Sequence, residues 1–190
     1  MASTMGTREV NGLTLPPAGT YSFDKHHTTI GFVARHMLSK VHGRFTEFDG
    51  KVTIGDTPED SSVQVEIKAD SVTTDNQMRD DHLRSGDFFE IESSPTLGFT
   101  STAVRIGEGN RFEIDGDLTV RGVTRPVTLD AEFLGSGPGM QGGTLAAFSA
   151  KTTVDREEWD LKWNVAVETG GFLVGKKVDL VIDTELLLED

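Results

Sequence analysis

The sequence has no cysteine in its 190 residues and carries little positive charge. Without cysteine there is no disulfide framework, no thiol nucleophile and no thiolate metal site, and the absence fits a reducing compartment. Its 18 lysines and arginines stand against 31 aspartates and glutamates, which gives a net charge of −13. Nucleic-acid binding and broad attraction to anionic membranes both need concentrated positive charge, so the composition argues against them.

Long apolar runs are also missing. No segment approaches the roughly 18 apolar residues of a membrane span, and residues 1–19 lack the apolar run of a signal peptide. We therefore expect a soluble, cytoplasmic protein. Residues 1–19 hold two prolines and three glycines, which predicts a flexible N-terminal arm. Residues 20–190 suit one domain with a substantial core.

Most of the remaining sequence alternates apolar and polar residues. Val63, Val65 and Ile67, for example, alternate with polar neighbours, as in a strand with one solvent-facing side. About eight such segments are joined mostly by short turns, which predicts an all-β, antiparallel fold with one or two short helices. Such strands close into a barrel or pack as a sandwich. A barrel of about eight strands holds one small ligand or is filled by its own side chains, and the 11 phenylalanines suit either interior.

The alternation breaks at residues 75–89, where the period becomes that of a helix. Thr74 and Gln77 form a capping-box pattern at its start, and Gly86 suits a left-handed residue at its end. At about 100° per residue, the helix has one mixed arc and one charged arc. We expect the mixed arc to face the barrel; it holds Met78, Arg79, His82 and Leu83, while Asp80, Asp81 and Arg84 face away.

Five separated groups of residues occur in a fixed order along the chain. They are Asp24, His27 to Ile30, Phe32, His36, Lys40-Val41 and Gly43 to Phe45; Arg79-Asp80, His82-Leu83 and Asp87 to Phe89; Pro95, Phe99 and Ser101; Gly116 to Thr124; and Arg156, Leu161, Trp163-Asn164, Val174-Gly175 and Val178. Together they resemble the YceI-like family, lipocalin-like proteins associated with polyisoprenoid binding. Relatives often carry serine where this chain has Thr28.

The resemblance implies an antiparallel, about eight-stranded lipocalin-like β-barrel with an apolar internal cavity. The cavity would bind, store or carry a long-chain isoprenoid or fatty amphiphile without catalysis, and a homodimer is plausible. Many relatives are periplasmic, in contrast to the cytoplasmic location expected above. We expect no metal or cofactor apart from a co-purified isoprenoid, polyprenyl or quinone lipid. The expected ligand-binding residues are Phe32, Arg35, His36, Phe45, Met78, Arg79, His82, Leu83, Phe88, Phe89, Phe99 and Trp163.

Several of these residues have a structural interpretation beside the functional one. Arg79 and Asp80 can form an ion pair that ties the helix to the barrel, or Arg79 and His82 can meet a ligand head group. Asp80 is the better structural candidate, because it points away from the arc of Arg79 and can anchor a neighbouring loop. The only basic cluster, residues 35–44, is either a solvated strand end or a site for an anionic head group.

Two other functions stay open on the sequence. One is a metal-dependent or acid–base enzyme on the same barrel, using His27, His36 and His82 with acidic neighbours. It has little support, because the spacings match no compact ligand pattern and carboxylate pairs are common in so acidic a chain. The other is a stress or interaction module whose barrel is filled by its phenylalanines.

Overall fold

Strands make up most of the computed structural model, which describes residues 6–140, 142–168 and 170–189. The strands are β1 (Arg8–Val10), β2 (Leu13–Leu15), β3 (Gly19–Phe23), β4 (Thr29–His36), β5 (Ser39–Phe45), β6 (Phe48–Ile54), β7 (Ser62–Lys68), β8 (Val72–Thr73), β9 (Thr96–Ile106), β10 (Arg111–Val120), β11 (Val123–Pro138), β12 (Thr144–Asp155) and β13 (Val174–Leu188). The α-helix α1 is Gln77–Arg84, and 3-10 helices lie at Pro58–Asp60, Ala69–Ser71 and Arg156–Trp159.

Eight of the strands close into an antiparallel barrel, as the sequence predicts. Their order around the barrel is β3-β6-β7-β9-β10-β11-β12-β13. The last strand closes it, because Leu187 in β13 pairs with Leu145 in β12 while Leu188 pairs with Tyr21 in β3. Closure pairs the strand edges that an open sheet would leave free.

Strand β13 is long enough to pair with two strands along one edge. Its end pairs with β3, and its earlier part pairs with β4, from Asp183 opposite Thr29 to Val174 opposite His36. Strand β5 then pairs with β4, and the short β8 pairs with the end of β5. We call β4, β5 and β8 the flap. The flap leads into α1 and adds enclosed space beside one end of the barrel.

The barrel interior follows the two-residue period of the strands. In β13 every second residue from Val178 to Leu186 lines the interior, namely Val178, Leu180, Ile182, Thr184 and Leu186, and most of the residues between them are charged. Two groups of buried residues form around this interior. One surrounds Tyr21 and Leu186, and the other surrounds Val72 and Trp159.

The first described residues form a hairpin where the sequence predicts a flexible arm over residues 1–19. Strands β1 and β2 pair, and Leu15 is 4% exposed in the core. The guanidinium of Arg8 fastens the hairpin by donating to the carbonyl oxygens of Pro16, at 2.9 Å, and of Asp56, at 2.7 Å. The missed signal is Asn11-Gly12, whose left-handed φ values of 53° and 82° suit a tight hairpin turn. Residues 1–5 lie outside the described residues.

Helix α1 starts and ends differently from the prediction. Asn76, not Thr74, is the N-cap, and its side chain accepts a hydrogen bond from the backbone nitrogen of Arg79 at 3.0 Å. The helix ends at Arg84, and Ser85 at the C-cap is extended, so Gly86 plays no left-handed role. The capping-box prediction was wrong because Thr74 serves a different partner, Asp80.

Candidate binding cavity

The interior of the barrel contains an apolar cavity of about 230 Å³, which we call the inner cavity. Aliphatic and phenylalanine side chains line it, mostly from the barrel strands and in part from the flap and the N-terminal hairpin, and Ser61 and Thr184 are its only lining hydroxyls among the described residues. The phenylalanines therefore do not fill the barrel. This result argues against the module with a solid core.

A larger outer cavity of about 570 Å³ lies between the flap, α1 and the residues that follow β12. It shares six lining residues with the inner cavity, so the two are neighbours across a common wall: Phe32, Phe45, Leu97, Leu118, Val120 and Leu180. The rings of Phe32 and Phe45 lie 6.0 Å apart in this wall. The outer cavity falls within the range of ligand pockets, roughly 300–1,000 Å³, and the inner cavity lies somewhat below it.

The structure brings most of the expected ligand-binding residues to the outer cavity. Phe99 is the exception, because it lines the inner cavity. Met78 lies at the mouth and is 83% exposed, so it borders solvent instead of packing on the barrel. The other lining residues from the expected set are Phe32, Arg35, His36, Phe45, Arg79, His82, Leu83, Phe88, Phe89 and Trp163.

The outer cavity is positively charged in an acidic protein. Arg35, Arg79 and Arg156 line it together with two histidines, and no aspartate or glutamate lines it among the described residues. Arg35 and His36 make no side-chain hydrogen bond or ion pair within that part of the chain. Their donors are therefore available to a ligand at the mouth.

Arg79 and Asp80 bind the same threonine and are not paired with each other. The Arg79 guanidinium donates to the Thr74 hydroxyl at 2.7 Å and to the Thr74 carbonyl at 3.1 Å. The buried Asp80 carboxylate accepts hydrogen bonds from the Thr74 backbone nitrogen and hydroxyl, at 2.7 and 2.6 Å, and from the Thr73 hydroxyl. The expected ion pair was wrong. The expected anchoring of a loop by Asp80 is confirmed.

His82 lies in an aromatic group on the wall of the outer cavity. Its ring centroid is 4.5 Å from that of Trp163 and 5.1 Å from that of Phe88, with edge-on geometry in both pairs. Its Nε2 is 2.8 Å from a carboxylate oxygen of Asp87. These contacts make His82 a well-packed wall residue and fix the position of Trp163.

Arg156 is the residue of this site that sequence reasoning passed over. It is 4% exposed and donates to the backbone carbonyls of Gly175 at 2.9 Å and Trp163 at 3.1 Å, and also to Leu161. Burial lowers the pKa of its guanidinium, although Glu157 and Asp155 oppose that shift. Arg156 thus holds the segment 161–175 against the barrel. The sequence signal that could have identified Arg156 is its place among the five ordered groups of residues that resemble the YceI-like family.

Comparison with known proteins agrees with this geometry. A family model for the YceI-like domain matches residues 21–186. The chain belongs to the YceI-like family. The UPF0312 protein of Pseudomonas aeruginosa strain LESB58 and Protein YceI of Escherichia coli O157:H7 are each 36% identical to it over 172 residues, which covers 88% of this chain and 86% of the relative.

Solved structures share the fold of this YceI-like chain. Burkholderia cenocepacia BcnA has a TM-score of 0.73 at 20% identity, over 86% of this chain and 98% of its own. The Campylobacter jejuni YCEI protein has a TM-score of 0.71 at 25% identity, over 82% and 90%. A polyisoprenoid binding domain from Saccharophagus degradans has a TM-score of 0.64 at 13% identity, over 91% and 100%.

The three histidines of the enzyme alternative do not form one site in this YceI-like barrel. His36 and His82 line the outer cavity, but His27 lies beyond the other end of β4, more than about 20 Å along an extended strand. His27 Nδ1 is 2.9 Å from Asp24 and 3.8 Å from Glu185. The grouping of His27 with His36 and His82 is therefore corrected.

Asp24, His27 and Glu185 form a separate group with the donor types of a metal site. Their donor atoms lie within 4.8 Å of one another. The Asp24 hydrogen bond raises the pKa of His27, and the same bond lowers the pKa of Asp24. His27 is well exposed, so the direct ion pair accounts for the arrangement.

Several carboxylates that lie close together in the sequence contact basic side chains. Asp87 meets His82, Glu90 meets Arg121, and Glu157 meets Lys176 at 2.8 Å. Among the described residues, no carboxylate lines either cavity. Within the same residues, no helix has the length and apolar character to cross a bilayer.

Proposed function

We propose that this chain binds a long-chain isoprenoid or similar amphiphilic lipid for storage or transport, without catalysing a reaction on it. The observation that carries the proposal is the pair of adjoining cavities, apolar inside and cationic only at the outer end. The name of the Saccharophagus degradans neighbour, a polyisoprenoid binding domain, supports the same class of ligand.

The apolar chain would enter the outer cavity and cross the shared wall into the inner one, which requires the rings of Phe32 and Phe45, whose centroids lie 6.0 Å apart, to move apart. Affinity comes mainly from burial, at about 25 cal/mol per Å² of apolar area before the cost of ordering the chain. Because the inner cavity offers almost no polar group, it cannot recognise a particular chain. The protein would select for length and flexibility.

The head group would lie in the outer cavity beside Arg35, His36 and Arg79. Arginine offers a planar set of donors that suits phosphate or carboxylate. Arg35 has no protein partner within the described residues, and Arg79 uses only Nε and Nη2 on Thr74. We therefore propose that the bound lipid carries an anionic head group. A quinone or a free alcohol is neutral and would not use these donors.

Native mass spectrometry of the protein purified from its own host tests the ligand class. We expect a co-purified species with the mass of a prenyl lipid. Titration of the delipidated protein with undecaprenol and undecaprenyl phosphate then compares a neutral with an anionic head group. Finding no co-purified lipid, and no binding of either probe, would refute the proposal.

Arg79→Ala and Asp81→Ala form a matched pair for the head-group assignment. Asp81 is exposed and, among the described residues, its side chain binds only Arg84 on the helix surface, so its loss should leave ligand retention unchanged. We expect Arg79→Ala to weaken binding of undecaprenyl phosphate about tenfold, the order of one charge-assisted hydrogen bond, and to leave undecaprenol unaffected. Equal retention in the two variants, or an equal loss for both probes, would contradict the assignment. Urea unfolding of each variant checks that the Thr74 contacts have not altered the fold.

The homodimer and the cytoplasmic location stay predictions from the sequence. Sedimentation velocity of the purified chain measures the first. Fractionation of the source cells measures the second.

A further inference from the structure

Five large apolar side chains are exposed on three segments around the outer cavity. Met37 and Leu38 form the turn between β4 and β5 and are 49% and 95% exposed. Met78 on α1 is 83% exposed, and Val165 and Phe172 on the segment before β13 are 48% and 63% exposed. We call these five residues the apolar rim. Exposed apolar groups in one place mark an interaction surface.

The rim is continuous with the mouth of the cavity. The backbone nitrogen of Met37 donates to the carbonyl of Leu173 at 2.8 Å, and the nitrogen of Leu173 donates to the carbonyl of Val165 at 2.9 Å. Leu173 and Met78 both line the outer cavity. The turn, the segment 165–173 and α1 therefore meet around one opening, and each contributes part of the rim.

The charges beside the rim are opposite in sign to the protein as a whole. Arg35 and Lys40 face each other across β4 and β5, one step from the Met37–Leu38 turn, and His36 adjoins them. Arg79 borders the mouth from α1. Four carboxylates lie nearby: Asp75, which is paired with Arg44, Asp80, which is buried against Thr74, Asp87, which lies 2.8 Å from His82, and the exposed Glu168. None of them lines the outer cavity, so the lining of the mouth and the turn beside it are cationic, although the chain carries a net charge of −13.

We propose that the apolar rim docks on an anionic lipid bilayer, with the mouth of the cavity against the membrane. The proposal rests on the proposed lipid-binding function and adds the route by which lipid enters. Leu38, Met78 and Phe172 enter the head-group region, while Arg35 and Lys40 contact anionic lipids. The negative charge of the remaining surface turns the other faces away from the membrane.

The cavity itself favours a bilayer over a protein as the partner. A prenyl chain that leaves a membrane through the rim meets apolar side chains at every step and need not cross water. A protein seated on the rim would instead block the mouth. A membrane partner thus explains why the apolar residues and the opening lie together.

Leu38→Glu is the decisive variant, because a side chain that is 95% exposed supports no packing. Met140→Glu is its matched control. Met140 is also fully exposed, but it lies in the turn between β11 and β12, at the opposite end of β12 from the mouth. The full chain and both variants are floated with vesicles of phosphatidylcholine alone and of an equimolar phosphatidylcholine–phosphatidylglycerol mixture. Farnesol binding is measured in parallel by tryptophan fluorescence, without vesicles.

We expect the wild type and Met140→Glu to float with the mixed vesicles and less with phosphatidylcholine alone. Leu38→Glu should partition about tenfold more weakly, since it replaces an inserted apolar side chain with a charge. It should bind farnesol as the wild type does.

Three results would overturn the docking proposal. They are a wild type that does not float, a Leu38→Glu variant that floats as well as Met140→Glu, and a dimer that Leu38→Glu converts to a monomer. The last would show a second copy on the rim. The farnesol assay separates the two proposals. Farnesol binding without flotation would refute the docking proposal alone. Loss of binding to farnesol and to the undecaprenyl probes would refute the proposed lipid-binding function.

Discussion

Asp80 is a buried carboxylate that ties α1 to the strand before it, and its removal gives the sharpest stability prediction. The side chain is 6% exposed. It accepts hydrogen bonds from the Thr74 backbone nitrogen at 2.7 Å, the Thr74 hydroxyl at 2.6 Å and the Thr73 hydroxyl at 3.1 Å. Asp80→Ala removes all three and leaves a buried backbone N–H without a partner.

The expected loss follows from those contacts. A hydrogen bond to a charged group contributes about 1.5–3 kcal/mol, and an unsatisfied buried donor costs about 1–3 kcal/mol. The three bonds share one carboxylate and water can enter the gap, so the terms do not add in full. We expect Asp80→Ala to lower the free energy of unfolding by about 3 kcal/mol. Asp80→Asn keeps the shape and one acceptor oxygen, and we expect a loss of about 1–2 kcal/mol.

Urea unfolding followed by tryptophan fluorescence measures the effect, since Trp159 and Trp163 both lie in the structured region. With a denaturant dependence of about 2–3 kcal/mol/M, a loss of that size lowers the midpoint by about 1–1.5 M. Asp81→Ala is the control, because Asp81 is exposed and should change stability by less than about 0.5 kcal/mol. An Asp80→Ala midpoint equal to that of Asp81→Ala would refute the reasoning.

The pH dependence of Asp80 has a definite sign. Burial raises the pKa of this carboxyl, but the hydrogen bonds from Thr74 and Thr73 outweigh burial, so the pKa is lowered. A lowered native pKa stabilises the fold above the unfolded-state pKa. The stability difference between the wild type and Asp80→Asn should therefore hold at neutral pH. It should narrow as the pH falls below the ordinary carboxyl value through the native pKa.

Two further predictions concern Tyr21 in the barrel and Gly43 in the flap. Burial raises the pKa of Tyr21, the one tyrosine of the chain, to about 12, against an opposing effect of Arg8. Its contribution to stability is present below the ordinary phenol pKa of about 10 and is lost as the pH rises through the native value. Tyrosinate absorbance measures this directly, and titration near the ordinary value in the folded protein would contradict it. Gly43→Ala would bring a methyl group within 2.2 Å of the Phe32 ring, which must then move. Because Phe32 lies in the wall shared by the two cavities, we expect Gly43→Ala to weaken the binding of undecaprenyl phosphate more than it weakens the binding of farnesol. A loss that is equal for both lengths would count against a chain that spans the wall.

The strands were predictable because their signal is local, whereas their closure into a barrel was implied by the resemblance to the YceI-like family. Each strand is indicated by a two-residue period of apolar and polar residues, and turn sequences such as residues 107–110 indicate where two strands are joined. The helix was also visible as a change of period at Asp75. The residues that cap the helix were not predictable. The Thr74 side chain can cap the helix or bind Asp80, and only the burial of Asp80 beside it decides between these roles. The N-terminal hairpin was missed for a related reason: prolines and glycines drew attention away from Asn11-Gly12 and the apolar residues beside it.

The lining of the outer cavity was predictable as a set of residues but not as a geometry. Residues from Phe32 to Trp163 reach one cavity because β13 pairs with β3 and β4 in succession and the flap diverges there. His27 and His36 are close in sequence, yet an extended strand separates them. The hydrogen bonds of Arg156 to four backbone carbonyls also depend on the loop before β13, which brings Leu161 and Trp163 beside the start of that strand.

The amino-acid sequence by itself determined an acidic, cysteine-free, antiparallel β protein with one short amphipathic helix and the residues of a YceI-like chain. Composition and period suffice for all of these properties except the last, which rests on five ordered groups of residues that resemble the YceI-like family. Tertiary structure alone decided that two adjoining cavities exist, that their lining has no carboxylate among the described residues, and that the five residues of the apolar rim lie around the opening. These properties depend on the packing of segments that are more than a hundred residues apart along the chain.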